Sequence, residues 1–307
     1  MLGFVFIFIS SSMRSFFVGI GETKVLTYNS LVMSVVNIVL DWALIFGNLG
    51  LPALGVKGAA IASVCAEGAS LLFFITYIRL RVDLKKYGMD MRDMLRWDGV
   101  VARSLLSISY FLMLQALMSQ SVWTLFFFML ESLGEMSLGV ASISRSVYNV
   151  LFIPIISYGT AVRTTTGQLM GADAADEIAP YLHRASRLSL GTAAVLAALV
   201  SLFASSVLRV FTDDPALITA AVPSMRVLCL SFVIASVGNM YFHAVGGVGS
   251  TKKVFRIELT GNIFYLLYAV AMIYLLRAPI AVCFTVEAIY FGIIAVRSYL
   301  FMRSGKW

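Results

Sequence analysis

Apolar residues run through the chain in long stretches separated by short polar or charged segments. A helix needs roughly 20 consecutive apolar residues to cross the hydrocarbon core of a bilayer. Nine stretches qualify, at residues 2–20, 26–46, 58–78, 102–130, 137–161, 188–208, 218–245, 255–276 and 279–301. The pattern predicts an all-α polytopic membrane protein with nine transmembrane helices.

The composition agrees with this prediction. Of the 307 residues, 60% are hydrophobic and 13% are charged, whereas a soluble domain has about 45–50% apolar and about 25% charged residues. A soluble fold could not remove so much apolar surface from water. We therefore expect a multi-pass protein of the plasma or inner membrane, with membrane lipid as its surroundings.

The net charge of +7 has a topological explanation. Most of the lysines and arginines lie in the loops after the first, third, fifth and seventh spans and at the C-terminus. The positive-inside rule places such loops in the cytoplasm. The C-terminus is therefore predicted to be cytoplasmic, and nucleic acid is not expected as a partner.

The sequence offers little support for catalysis. Its three cysteines lie within apolar stretches, without the spacing of a metal site, and there are only two histidines. No HExxH motif and no pair of aspartates within one span occurs. A membrane-embedded enzyme is therefore not favoured, and neither a catalytic residue nor an organic cofactor is expected.

A charged segment at 79–99 divides the chain into a short part, 1–78, and a long part, 100–307. It reads either as a solvated loop or as a cytoplasmic linker between two helical lobes. A repeat favours the linker, because GIGETK at 19–24 and GVGSTK at 247–252 follow the first and seventh spans.

Further features extend the repeat to spans one to three and seven to nine. The Asn37-Ile38 and Asn262-Ile263 pairs lie in the following spans, and mid-span Glu67 and Glu287 lie in the spans after those. Spans four to six have no counterpart, and nine spans with a cytoplasmic C-terminus would leave Met1 outside. The expectation is therefore two parallel six-helix lobes, with the first three helices of the first lobe absent.

Polar residues within the spans are the candidate functional residues, since an ionised group at the bilayer centre costs about 2.5–3.5 kcal/mol on insertion scales. They recur at helical spacing, as Asn37 and Asp41 do on the second span. Asp41 is the strongest candidate for taking up a proton or a cation, because an amide one turn away can orient a carboxylate. The other cavity or coupling candidates are Ser34, Glu67, Gln115, Arg145, Asn149, Asn239, Asn262 and Glu287.

Other interpretations of these residues stay open. A serine or asparagine within a span often only forms an interhelical hydrogen bond. Arg145 and Arg163 either neutralise carboxylates or extend their charges to an interface. The sequence gives Arg163 no definite role.

Three runs together resemble the multidrug and toxic compound extrusion (MATE) family. Residues 19–63 resemble the stretch from its fourth to sixth helices, 152–172 resemble its eighth-helix signature, and 246–252 resemble the turn between its tenth and eleventh helices. The resemblance covers essentially the whole chain. Its signature positions are Gly19, Gly21, Pro154, Gly159, Gly167, Gln168, Gly171, Gly247 and Gly249.

The resemblance implies a twelve-helix fold of two six-helix lobes that exports organic, often cationic compounds and drugs in exchange for H⁺ or Na⁺. Carried over by position, Asn37 and Asp41 match the cation site of the amino-terminal lobe, and Ser63 matches a hydroxyl position there. The coupling ion would be the only cofactor, and a monomer is expected. Some sodium-coupled members of the family have carboxylates in helices seven and ten, and near those positions this chain has Ser119-Gln120 and Ala235-Ser236. This difference weakens the case for coupling through the carboxyl-terminal lobe.

Two alternatives to an exporter stay open. A lipid-linked oligosaccharide flippase of the same superfamily would need a strongly cationic cavity, for which Arg14, Arg145 and Arg163 are the candidates. A non-transporting remnant is the other, because three helices of one lobe are expected to be absent.

Overall fold

The computed structural model describes residues 2–83, 98–305 and 307. These residues form helices without any β-strand. Eight helices are long and apolar enough to cross a membrane, and a shorter apolar helix, Gly3–Gly19, occupies the first predicted span. The prediction of an all-α polytopic membrane protein is confirmed.

The chain divides into two compact units, Met1–Asp98 and Gly99–Trp307. The predicted parts 1–78 and 100–307 fall within one unit each, and their assignment as family lobes stays a prediction. Of the predicted linker 79–99, residues 84–97 lie outside the described residues.

The described residues of the first unit form three helices. They are α1 (Leu2–Gly19), α2 (Thr23–Phe46) and α3 (Val56–Arg81). Phe17 and Phe74 stack at 5.6 Å at the centre of a small apolar cluster. A buried hydrogen bond of 3.0 Å from Asn29 to Ser70 joins α2 to α3. A Cβ atom at Gly58 would lie 2.6 Å from the carbonyl oxygen of Leu44, so this glycine lets α2 and α3 approach closely.

The second unit contains the remaining helices. They are α4 (Gly99–Glu131), α5 (Glu135–Gly171), α6 (Ile178–Leu202), α7 (Ala204–Arg209), α8 (Pro215–Gly247), α9 (Thr251–Val270), α10 (Ile280–Cys283) and α11 (Thr285–Arg303). A 3₁₀ turn, Ala175–Glu177, precedes α6, and a π-helical turn, Ala271–Leu275, follows α9.

Helix α8 packs against α5, α6 and α11. It begins where Asp214 accepts hydrogen bonds from the backbone N–H groups of Ala216 and Leu217, at 2.9 and 3.4 Å. Pro215 occupies the first helical position, where its missing N–H costs nothing.

Several predicted span boundaries are corrected. The fifth span continues to Gly171, ten residues beyond its predicted end at 161, as part of one 37-residue helix. The sixth divides into α6 and α7, and the ninth into α10 and α11. These breaks escape a hydropathy pattern because the apolar run continues through them.

Many large apolar side chains are exposed on the described helices. Phe46 is 69% exposed, Val56 89% and Leu202 77%. Such surfaces are costly in water and favourable in lipid. The chain is a multi-pass membrane protein.

Candidate functional site

Four candidate residues from two helices of the first unit line one pocket of about 290 Å³. Ser34 and Asn37 come from α2, and Ser63 and Glu67 come from α3. Each pair is three or four residues apart, a spacing that places both side chains on one face of a helix. The packing of α2 against α3 brings the two faces together.

Asp41 lies one helical turn beyond Asn37 and is not among the described lining residues. Its side chain is partly buried. Its Oδ1 atom is buried and accepts no hydrogen bond within the described part of the chain. A carboxylate with an unpaired buried oxygen can take up a proton or coordinate a small cation.

Glu67 already has a partner of opposite charge. The guanidinium of Arg14 lies 3.7 Å from its Oε2 atom, with the side chains 40% and 21% exposed, respectively. Arg14 also contacts the sulfur of Met33 at 3.5 Å. Arg14 therefore offsets part of the charge of Glu67, whereas Asp41 has no such ion pair among the described residues.

The second unit contains a carboxylate that the sequence reading did not select as a site residue. Glu258 on α9 is 3% exposed. It accepts hydrogen bonds from the hydroxyl of Ser119 at 2.5 Å and from the amide of Gln115 at 3.5 Å. A third comes from the hydroxyl of Tyr290 at 2.6 Å. Three helices therefore converge on this one acid.

Glu287 on α11 is also buried, at 1% exposed. It accepts a hydrogen bond of 3.0 Å from the hydroxyl of Tyr265 on α9. The rings of Tyr265 and Tyr290 meet edge to face at 5.8 Å. Each carboxylate can accept a proton and keep its hydrogen-bond donors, because a protonated carboxyl group retains acceptor capacity.

The remaining polar candidates have different surroundings. Asn262 lies between Glu258 and Tyr265 on one face of α9, 4% exposed, and its Nδ2 atom has no partner among the described residues. Asn239 donates a hydrogen bond of 3.0 Å to the carbonyl of Ala235 in its own helix.

A second pocket, of about 390 Å³, lies within the second unit. Arg145 and Asn149 line it together with Gln120, Trp123 and Tyr148. This pocket unites two of the predicted cavity residues, while Gln115 belongs to the Glu258 cluster instead.

The interface between α5 and α8 explains three of the signature glycines. A Cβ atom at Gly159 would lie 2.5 Å from the Cδ2 atom of His243, and one at Gly247 would lie 2.6 Å from the carbonyl oxygen of Arg163. Gly167 faces the carbonyl oxygen of Gly247 at 3.4 Å by the same measure. These helices can pack so closely only because the side chains are absent.

The other signature positions differ in their roles. Gly21 and Gly249 have φ of +81° and +78°, where glycine is favoured. Pro154 lies inside α5, and the carbonyl of Gln168 accepts from the N–H of Ala172 at the end of that helix. Gly19 and Gly171 have nothing within 4 Å of an added Cβ atom.

Arg163 packs over another glycine of α8. A Cβ atom at Gly246 would lie 2.7 Å from the Nη2 atom of Arg163. Its Nε atom is buried without a hydrogen-bond partner in the described ranges. The guanidinium of Arg163 therefore packs against the backbone of Gly246, where a larger side chain would displace it.

The repeated hexapeptide folds identically in both units. The N–H of Glu22 donates to the carbonyl of Phe17 at 3.0 Å, and the N–H of Ser250 donates to that of Val245 at 3.3 Å. Helices α2 and α9 then begin at equivalent residues, Thr23 and Thr251.

Within this register the two Asn-Ile pairs lie at different positions along their helices. Asn37 lies 14 residues after Thr23, while Asn262 lies 11 residues after Thr251. The two asparagines therefore differ by nearly one helical turn in depth.

Eight apolar helices of membrane-spanning length among the described residues, with buried carboxylates and glycine-mediated helix contacts, define the class of polytopic membrane proteins. The MatE family model matches residues 112–270, which is more than half of the chain. The chain belongs to the MatE family.

Curated relatives agree with this assignment. The probable multidrug resistance protein NorM of Thermotoga maritima is 23% identical over 235 residues, covering 76% of this chain and 49% of that protein. NorM of Photorhabdus laumondii is 24% identical over 81% of this chain and 54% of its own length. The chain spans about half the length of the curated relatives it matches.

Solved structures share the fold. A MATE protein crystallised in complex with MaL6 has a TM-score of 0.84 at 19% identity, covering 98% of this chain and 66% of that one. A mutant of the Vibrio cholerae MATE transporter VcmN has a TM-score of 0.84 at 17% identity, covering 96% and 65%.

Proposed function

We propose that this chain acts in the export of organic compounds, including drugs, in exchange for H⁺ or Na⁺ by alternating access. The observation that carries the proposal is the pocket formed by Ser34, Asn37, Ser63 and Glu67, with Asp41 one turn away. The family membership and the multidrug resistance names of the relatives support it.

In this mechanism the coupling ion binds at Asp41. Asn37, one turn earlier on the same face of α2, orients the carboxylate, and the hydroxyl of Ser63 supplies a further oxygen in the adjacent pocket. Oxygen ligands of this kind suit a hard cation, and the same carboxylate can accept a proton.

Coupling requires that ion and substrate favour opposite states of the transporter. Linkage then makes each ligand lower the affinity for the other. Uptake of the ion at Asp41 would repack α2 against α3 and thereby weaken substrate binding. No organic cofactor or catalytic residue takes part, and the transporter acts as a monomer in the cell membrane with its C-terminus in the cytoplasm.

The positions of the arginines do not favour the flippase alternative, which needs several of them around one pyrophosphate group. Arg145 and Arg163 are 18 residues apart on α5, so a helical rise of 1.5 Å per residue separates them by roughly 27 Å. Arg14 is already paired with Glu67. One pyrophosphate group could not be held by Arg145 and Arg163 together.

The test is efflux of ethidium from vesicles reconstituted with the chain, driven by an imposed H⁺ or Na⁺ gradient. Asp41→Asn should abolish gradient-driven efflux while ethidium still binds. The matched control, Asp213→Asn, removes an exposed carboxylate of the second unit and should leave efflux unchanged. Full efflux in Asp41→Asn would refute the mechanism, and no efflux in the wild type would favour a non-transporting remnant.

A further inference from the structure

The pocket that Arg145 lines in the second unit has an unusual charge arrangement. Among its described lining residues, Arg145 alone is charged. Its guanidinium lies 4.8 Å from the ring centre of Trp123 and 4.9 Å from that of Phe127. Both distances fall within the range of a cation–π interaction.

This stacking has a consequence for cationic ligands. An aromatic surface binds an organic cation through the negative face of its rings. Here the ring faces of Trp123 and Phe127 already hold the guanidinium of Arg145, which stays charged at every physiological pH. A cationic ligand would therefore find the faces occupied and a positive charge beside it.

The same stacking leaves Arg145 able to bind an anion. A guanidinium that lies over a ring keeps its N–H groups at the edge of its plane, where they match the two oxygens of a carboxylate. Arg145 forms no ion pair with a carboxylate of the described residues. Glu287 is close enough for a Coulombic interaction but is buried and bound by Tyr265.

Tyr148 also lines this pocket and is 4% exposed. Its hydroxyl is buried and leaves no room for an acceptor, so the residue offers a ligand its aromatic ring.

The rest of the pocket suits a flat ring. The ring centres of Phe152 and Phe291 lie 5.5 Å apart with their planes inclined at 30°, and those of Tyr148 and Phe152 lie 4.7 Å apart. The volume of about 390 Å³ falls in the range of small-molecule sites.

We propose that this pocket binds planar aromatic anions, such as aromatic carboxylates, and discriminates against permanent cations. Arg145 holds the oxyanion, and the rings of Tyr148, Phe152 and Phe291 contact the aromatic part. The inference rests on the proposed function only in treating the bound molecule as a transported substrate. For this pocket, the expected ligands are therefore aromatic anions and not the organic cations that the family resemblance implies.

The test compares two probes of the same shape and opposite charge, 2-naphthoate and 2-naphthylmethylammonium. Their binding to the purified chain in neutral detergent is measured by titration calorimetry. We expect 2-naphthoate to bind at least about tenfold more tightly, in keeping with a charge-assisted bidentate contact. Equal or tighter binding of the ammonium probe would overturn the proposal.

Variants of Arg145 sharpen the comparison. Arg145→Gln should weaken 2-naphthoate binding about tenfold and strengthen ammonium binding, because the ring faces become free. Arg145→Lys keeps the charge without the planar fork, so an intermediate preference is expected even if the glutamine variant fails to fold. The control Arg209→Gln changes an exposed arginine at the end of α7 and should leave both affinities unaltered. If Arg145→Gln still prefers 2-naphthoate over the ammonium probe as strongly as the wild type does, the proposal is contradicted.

A lipid headgroup is the competing source of an anion. Phosphatidylglycerol added to the detergent should not displace 2-naphthoate, because its headgroup has no ring for the aromatic part of the pocket. Displacement at equal concentration would overturn the proposal in favour of a lipid site. These measurements need no ion gradient. Tight 2-naphthoate binding without gradient-driven transport of either ethidium or 2-naphthoate would refute the proposed function alone. Gradient-driven ethidium efflux without 2-naphthoate binding would refute this inference alone.

Discussion

The hydroxyl of Tyr290 on α11 donates a hydrogen bond of 2.6 Å to the buried carboxylate of Glu258 on α9. The opposite exchange lies close by, since Tyr265 on α9 donates at 3.0 Å to Glu287 on α11. Each helix thus supplies one acid and one phenol to the other. We call these four residues the crossed clasp.

Removing one phenol should destabilise the second unit. Tyr290→Phe leaves Glu258 with one donor fewer in a buried site, and we expect a loss of about 1–3 kcal/mol in the free energy of unfolding. Thermal unfolding in detergent measures it. The control Tyr274→Phe, at a side chain 52% exposed, should leave the melting temperature unchanged, and equal effects of the two changes would contradict a role for the clasp.

Gly159→Ala should displace the side chain of His243 at the contact between α5 and α8. The new Cβ atom would lie 2.5 Å from the Cδ2 atom and 2.7 Å from the Nε2 atom of His243, so overpacking should cost about 1–3 kcal/mol. Adding His243→Ala should restore part of the loss. Gly171→Ala in the same helix meets nothing within 4 Å and should be neutral in the same unfolding assay.

The two repeated turns should respond alike to substitution. Gly21→Ala and Gly249→Ala each force a side chain into the left-handed region, at φ of +81° and +78°, with an expected cost of about 1–2 kcal/mol. Asparagine at either position should cost less, because it tolerates this region better. Gly19→Ala serves as the control, and a large difference between Gly21→Ala and Gly249→Ala in unfolding would argue against equivalent turns.

Arg14→Gln should make the first-unit pocket more attractive to Na⁺. It removes the positive charge 3.7 Å from Glu67, and because the pair is partly exposed the effect should not exceed about 1 kcal/mol. The expected result is a rise in Na⁺ affinity of up to about fivefold, measured by Na⁺ titration of the purified chain. Glu67→Gln added to Arg14→Gln should abolish the gain, and a gain that survives it would show that Glu67 is not responsible.

Most of the polar residues that line the first-unit pocket were predictable from the sequence. Helical spacing indicates Ser34, Asn37 and Glu67, because a period of 3.6 residues fixes which side chains share a face. The family resemblance adds Ser63. That α2 and α3 point these faces at one pocket follows from their packing. The exclusion of Asp41 from the described pocket lining could not be read from the same spacing.

The crossed clasp was less accessible to sequence reasoning. Glu258 and Tyr290 are 32 residues apart, and Tyr290 is one of 13 tyrosines. A polar residue in a span indicates that a partner is needed. The identity of that partner depends on which helices meet and at what depth, and the sequence does not give either.

The sequence by itself determined the membrane-spanning helices, their polar faces and the glycines of both turns. Apolar length, helical period and allowed backbone angles are local properties, and each can be read from a few neighbouring residues. Only the tertiary structure decided that Glu258 meets Ser119 and Tyr290, that Arg14 meets Glu67, and that Arg145 lies over Trp123 and Phe127. Those contacts depend on how closely whole helices pack, and small residues distributed along the chain control that distance.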